Sequence, residues 1–448
     1  INGGAGIDTI IGGTGNDTLN GGAGNDTITT NTGNDTVDGG AGDEVVNMDG
    51  NLTGDDTVAG GDGTDTIAID AAATAITAAG VSSFEVLRFD TAALDQNMVN
   101  FTANTTFTKL VNNVAGANSV TNVSNTVTDL TALNGTTTLG FDRLVDGATN
   151  ALTFGAATDA ATTITTLTAN DEETLTIDDG AIDSALNLVI GTLNAEDLVT
   201  LNITGVANVE ITNAIAAQTV ATLTTVNAAT NTGTVDVDAS NATLALTMTG
   251  SATAASILAG GSTGDTITGG AGDDTLTGNG GTDTIVGGAG TDGINGGTGN
   301  DTLTGGEGTD TITGAAGSDS IILTETQSVA DIVVINAVEG TSSDSGRTTV
   351  TGDNNDTGAD TVTGFAFGTD TIKIVATEVA DFNHTDDTFI GTATGDVNDG
   401  TVGSFLGTVG LVDLDGNATI GTGDVAITFA SPSATMTEAF FDAAVVYD

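Results

Sequence analysis

A nine-residue phrase recurs in phase through two stretches of this chain, and that phase constrains the fold more than any other feature. Gly21-Gly22-Ala23-Gly24-Asn25-Asp26-Thr27-Ile28-Thr29 is a clean copy of the pattern Gly-Gly-x-Gly-x-Asp-x-U-x, where U is aliphatic. The pattern predicts a turn over its first six residues and a short strand over its last three. Glycines at positions one, two and four allow positive φ and let main-chain carbonyls converge on an ion. The position-six aspartate supplies a hard oxygen ligand, which suits calcium. The aliphatic residue points inward, and one unit cannot bury its own face, so stacking is required. A glycine-rich linker has no reason to keep an aliphatic residue in phase at every eighth position.

The first array starts at Gly3, Gly12, Gly21, Thr30 and Gly39, passes through a longer unit from Met48, and resumes at Gly60. Its position-six acids are Asp8, Asp17, Asp26, Asp35, Glu44, Asp56 and Asp65, and its inward residues are Ile10, Leu19, Ile28, Val37, Val46, Val58 and Ile67. The second array holds strict register from Gly260 to Ile322. Its acids are Asp265, Asp274, Asp283, Asp292, Asp301, Asp310 and Asp319, and its inward residues are Ile267, Leu276, Ile285, Ile294, Leu303, Ile312 and Ile321. Some units depart from the pattern: Thr263 stands at a fourth position, Asn279 at a second, and Thr30-Asn31 replace a glycine pair. Glu44 is longer than aspartate and re-aims its carboxylate.

These nonapeptides are similar to those of the RTX family. The resemblance implies a β-roll with consecutive repeats on opposite sides and calcium between the turns of repeats n and n+2. It would pair Asp265 with Asp283, Asp274 with Asp292, Asp283 with Asp301, Asp292 with Asp310, and Asp301 with Asp319. The same rule pairs Asp8 with Asp26 and Asp17 with Asp35.

Composition narrows the partners. Five lysines and arginines face sixty acidic residues, for a net charge of −55. Nucleic acid and anionic lipid both need a basic footprint and are excluded as direct partners. Such a charge opposes compaction, so folding of the arrays is expected to be coupled to calcium binding, a physical reason for export unfolded. With no cysteine, calcium rather than disulfides is the expected cross-link of an extracellular chain. No apolar run is long enough to span a bilayer as a helix, and no secretory signal peptide is visible. The chain opens at Ile1 inside a repeat, which reads as a fragment of a longer protein.

Residues 71–250 lose the nonapeptide and keep β character. Thr165-Asp178, Gly191-Thr204 and Thr224-Val237 each carry an aliphatic, then an alanine, then a Thr-U-x-U strand. Alternation in Thr174-Leu175-Thr176-Ile177 buries one face. Solenoid coils with loops of variable length are the first reading; a separate β-sandwich is the alternative. Val81–Phe89 reads as a strand closing the first array, and Ala71–Ala79 as a short helix or capping turn. Set between RTX arrays, this Thr/Ala/Val/Asn-rich segment resembles bacterial surface-layer (S-layer) proteins of the RTX type, nearest in pattern to the C-terminal crystallisation portion of the Caulobacter type. Here Leu223–Ala229 leads to the array at Gly260.

Beyond the second array, residues 358–374 read as a capping unit, with Asp360 and Asp370 as candidate ligands or turn residues. Asp413-Leu414-Asp415-Gly416-Asn417, with Asp424 further on, echoes a calcium loop, but Ala418 stands where glycine is expected, and a hairpin between Val409–Leu414 and Asp424–Phe429 is the stronger reading. Glu438–Asp448 resembles the uncleaved C-terminal signals of type I secretion substrates. The single histidine, His384, cannot make a two-histidine zinc motif, and no G-x-S-x-G elbow is present, so no enzyme is expected.

The expected fold is all-β: an elongated parallel β-solenoid with β-roll 1 at 1–70, an irregular β-solenoid segment at 71–250, β-roll 2 at 251–325, and a capping β domain with secretion signal at 326–448. The expected cofactor is multiple Ca²⁺. The expected role is a secreted protein that self-assembles into a lattice on the bacterial surface, with cell-surface polysaccharide engaged through a region outside this chain. A calcium-dependent adhesin or biofilm-matrix protein, and the carrier tail of a secreted enzyme, are the alternatives.

Overall fold

In the computed structural model, residues 1–49, 51–70, 80–92, 94–101, 103–114, 116–132, 138–144, 150–156, 162–178, 187–213, 215, 221–323, 330–337, 361–363, 371–376, 389–390, 409–412, 425–428 and 445–447 are described. Met98–Asn100 among them is a 3₁₀ turn, capped by Asn97, whose side chain accepts from the Val99 amide. The chain divides into two compact units, Ile1–Leu223 and Thr224–Asp448.

Each unit is built of parallel coils in which a strand pairs with the next strand but one. In the first unit Thr9–Thr14 pairs with Thr27–Thr32, and Thr18–Ala23 with Thr36–Ala41, so odd and even repeats form opposite sheets. In the second, Thr266–Ala271 pairs with Thr284–Ala289 and Thr275–Gly280 with Gly293–Thr298. The aliphatic positions lie opposite one another, Ile267 on Ile285 and Leu276 on Ile294. All fourteen inward residues named above are buried. A coil of two repeats thus closes its own thin core, and the parallel ladder joins it to the next.

The strand is longer than the repeat predicts. Thr266–Ala271 spans positions seven to nine and the first three of the next unit, leaving only Gly-x-Asp for the turn. Pairing survives the glycines because the ladder runs through them, Gly270 on Gly288. Positive φ falls at positions two and four, as in Gly270 and Gly272, and not at position one. Asn31 and Asn279 keep the left-handed conformation at position two (φ 62° and 70°), which asparagine tolerates, so those departures leave the turn intact.

The intervening coils follow the solenoid reading, not the β-sandwich, whose sheets would be antiparallel. Thr174–Asp178 pairs in parallel with Thr200–Thr204, and Thr162–Ala169 with Asn187–Asn194. Their core is wider: Leu175, Ile177, Leu201, Ile203, Ile164 and Ile190 are all fully buried. Val81–Phe89 closes one of the two sheets of the first array, its Val81–Ser82 being the last strand there, paired with Thr57–Asp62. It bends at Ser83 (φ 57°) into Val81–Ser82 and Val86–Phe89, and the latter passes its pairing on to Lys109–Asn112. Two strands after the second array, Thr361–Thr363 and Thr371–Ala376, extend its sheets, and Val445–Tyr447 adds to the latter. Val409–Val412 and Val425–Thr428 form the antiparallel pair expected there. The proposed Ala71–Ala79 turn, Asp360, Asp370, His384, the 413–424 loop and most of the C-terminal signal lie outside the described residues.

Candidate metal centre

The turn of each repeat places its aspartate at the start of a strand, with its side chain turned back toward the neighbouring coil. There the carboxylate meets the amide of the aspartate one coil earlier. The Asp265 amide donates to Oδ1 of Asp283 (2.6 Å), Asp274 to Asp292 (2.8 Å), Asp283 to Asp301 (2.8 Å), Asp292 to Asp310 (2.9 Å) and Asp301 to Asp319 (2.8 Å). Asp8 donates to Asp26 (2.8 Å) and Asp17 to Asp35 (2.9 Å). These are the pairs named from the repeat, here joined by direct hydrogen bonds.

The second oxygen is the informative one. In Asp8, Asp17, Asp26, Asp65, Asp274, Asp283, Asp292 and Asp301, Oδ2 is buried and no protein donor reaches it. It faces the first glycine of its own repeat. A Cβ on Gly3 would lie 2.8 Å from Oδ2 of Asp8 and 2.6 Å from the carbonyl oxygen of Gly21; on Gly12, 3.0 Å from Oδ2 of Asp17 and 2.8 Å from the carbonyl of Thr30. Gly269, Gly278, Gly287 and Gly296 face the equivalent pairs of atoms. In these coils position one is glycine for space, not for φ: a carboxylate oxygen and a carbonyl oxygen converge where a side chain would stand. A buried carboxylate without donors is costly unless a cation satisfies it, and an all-oxygen set of carboxylate and carbonyls matches calcium. Among the described residues no three acidic, histidine or cysteine side chains cluster, so main-chain carbonyls and water are left to complete any such shell.

The electrostatics agree. Burial pushes the Asp283 carboxyl up to about 7 and those of Asp274 and Asp301 to about 6, with a neighbouring carboxylate adding to each. Asp35, Asp65, Asp265 and Asp292 are raised by the same burial. In each, burial disfavours the charged form more than the backbone amides that reach it favour it.

Two proposed ligands are placed differently. Asp265 accepts from Leu246 through Oδ1 and, at 2.7 Å, from the Gly261 amide through Oδ2. Thr263 and Gly261 of that turn both stay out of the left-handed region, which brings this amide onto the carboxylate. Asp56 accepts from the Asp35 amide through Oδ1 and from both the amide and hydroxyl of Thr53 through Oδ2. At position one before Asp35 stands Thr30, fully buried, with a side chain where the other coils have a cradle.

Several members of the ladder carry no repeat signal. The Asp310 amide donates to Asp331 (2.9 Å), Asp65 to Oε2 of Glu85 (2.9 Å), Phe84 to Asn104 (2.8 Å) and Leu94 to Asn118 (2.8 Å). The spacing varies there, so only the fold brings them to this position. Arg143 is the other residue that sequence reasoning passed over. Its side chain is 1% exposed, and the guanidinium pairs with Glu172 and donates to the carbonyls of Ser124, Val127 and Ala151. It also lies 4.8 Å from the centre of the Phe141 ring.

The fold and its cradles define a calcium-binding β-roll. The RTX calcium-binding nonapeptide repeat (four copies) matches residues 2–36, 21–50, 52–68, 259–294 and 294–321. These stretches are the two arrays, and the repeats bind calcium; proteins that carry them are typically secreted. No curated protein and no solved structure matches the chain.

Proposed function

We propose that the chain is a secreted, non-enzymatic structural protein of the surface-layer type, ordered by calcium and assembling with copies of itself on a bacterial surface. The observation that carries the reading is the row of buried, donor-less Oδ2 atoms in both arrays. Without a cation these coils concentrate uncompensated carboxylates; calcium, when bound, supplies the missing charge and coordination. The ligands proposed are Asp8, Asp17, Asp26, Asp65, Asp274, Asp283, Asp292 and Asp301, with Asp35, Asp310 and Asp319 continuing the ladders, and first-position glycines keeping the space open. The surface-layer reading adds the sequence resemblance of the Thr-rich coils and the excess of sixty acids over five bases, which calcium can bridge between subunits. No helix among the described residues is long and apolar enough to cross a membrane, and engagement of cell-surface polysaccharide is assigned to a region outside this chain.

Negative-stain electron microscopy in millimolar calcium, with an EGTA control, tests this reading. Two-dimensional sheets that disappear in EGTA are expected. Dispersed particles in calcium would replace the lattice with the adhesin or carrier-tail alternative while leaving the calcium-ordered coils in place.

A further inference from the structure

Within the first unit the side-chain ladder runs on past the array, and its chemistry changes at one residue. At Asp65 the link still leaves an oxygen over: Oδ1 takes the Glu44 amide (2.8 Å), while Oδ2 is buried with no donor. One coil further the Phe84 amide donates to Oδ1 of Asn104 (2.8 Å), and Nδ2 of Asn104 donates back to the Phe84 carbonyl (2.9 Å). Asn104 is buried, and both halves of its carboxamide serve one reciprocal pair. A carboxylate in that place would set an oxygen against the carbonyl, a contact that only a cation could make favourable. Asn118 repeats the arrangement, with Oδ1 on the Leu94 amide (2.8 Å) and Nδ2 on the Thr91 carbonyl (3.2 Å). Beyond it, Arg143 pairs with Glu172, and Glu173 accepts from the Asn150 amide (2.6 Å). Among the described residues of 80–213, the buried side-chain oxygens without a donor are the amide oxygens of Gln96 and Asn170, neither of them charged. These coils also bury Phe84, Phe89, Phe141 and Phe154, whereas a regular array unit contributes one aliphatic residue. Apolar burial and satisfied polar groups hold such coils with no ion.

We infer that the coils from Val86 to Ile211 are a calcium-independent body, that the first array is a calcium-switched arm built on it, and that Asn104 sets the border between the two. The inference rests on the calcium reading of the arrays above. The border strand Val86–Phe89 pairs with Lys109–Asn112 on one side and with Thr66–Ile69 of the array on the other. In calcium-free solution it therefore stays folded and keeps one sheet edge ready for the arm.

Amide hydrogen exchange of the full chain, in EGTA and in millimolar calcium, tests the border. In the wild type, Val86–Phe89, Lys109–Asn112 and Thr200–Thr204 should exchange equally slowly in both solutions, while Thr27–Thr32 and Thr36–Ala41 should lose protection in EGTA. Asn104→Asp should move the border by one coil: Val86–Phe89 should lose protection in EGTA and recover it in calcium, with Thr200–Thr204 unchanged as the check that the body is folded. Asn104→Ala removes the same two hydrogen bonds without adding charge, so its loss at Val86–Phe89 should be equal in the two solutions. Body strands that exchange as fast as the array in EGTA overturn the inference. So does an Asn104→Asp loss that calcium leaves unchanged, or no loss at all. Array strands that keep full protection in EGTA overturn the calcium reading itself and leave no border to place.

Discussion

The amide of Asp283 donates to Oδ1 of Asp301 at 2.8 Å, while Oδ2 of the same Asp301 is buried with no donor from the protein. One carboxylate therefore does two tasks: one oxygen ties adjacent coils together and the other stands available to an ion. Replacing Asp283 and Asp301 together by alanine removes the acceptors of the Asp265 and Asp283 amides. Each amide left buried without its acceptor costs about 1–3 kcal/mol. The double variant should bind fewer calcium ions and lose amide protection in Thr284–Ala289 and Thr302–Glu307. Calcium-dependent folding indistinguishable from wild type would remove these residues from the site.

Acid should partly substitute for calcium. In the unfolded chain the aspartates titrate near 3.8, whereas Asp283 in its coil is pushed up to about 7 and Asp274 and Asp301 to about 6, burial being the largest cause. Between pH ~4 and ~7 the folded coil therefore binds more protons than the unfolded chain, so stability falls as pH rises. In EGTA the second array should be most protected near pH 4 and lose this contribution by pH 7. Calcium competes with the same protons, so its stabilising effect should be largest above pH 7. Amide exchange in Thr275–Gly280 at a series of pH values reads this directly; protection that rises with pH in EGTA would contradict it.

Gly287→Ala probes the cradle without touching a carboxylate. The added Cβ would meet Oδ2 of Asp292 and lie 2.5 Å from the carbonyl of Gly305. Overpacking of this kind costs roughly 1–3 kcal/mol, and the ion's place is filled as well. The variant should lose one calcium, measured by equilibrium dialysis, and melt at lower temperature in calcium. Full stoichiometry would place the ion elsewhere.

Arg143 lets the non-repeat coils supply their own cation. The pairing lowers the Glu172 carboxyl against burial, which is the larger effect and raises it. Arg143→Met leaves Glu172 buried and uncompensated, a loss of about 3–5 kcal/mol. Because carbonyls and a carboxylate here surround a guanidinium, the destabilisation of Thr174–Asp178 should be the same in calcium and in EGTA. Adding Glu172→Leu should recover much of it. A loss seen only in EGTA would show that calcium also stabilises these coils.

The sequence by itself determined the extent of the arrays and the inward aliphatic of each unit from Ile10 to Ile321, because a repeat imposes the same local geometry at every copy; the coil of two repeats and the n to n+2 pairing of aspartates came with the resemblance to the RTX family. In the central segment the Thr-U-x-U alternation established one buried face and left coils and a β-sandwich both open; the parallel pairing was decided by the tertiary structure. Tertiary structure alone decided how far each strand extends through its glycines, what glycine at position one makes room for, and which carboxylates keep a free oxygen. Asp56 and Asp265 match the pattern, yet nearby donors take both of their oxygens; Asp331, Glu85 and Asn118 match nothing, yet join the ladder. Arg143 and Glu172 meet only because coils of unequal length stack. The physical reason is that a pattern fixes where a side chain leaves the main chain, whereas burial and the donors of the neighbouring coil fix what its oxygens have left to bind.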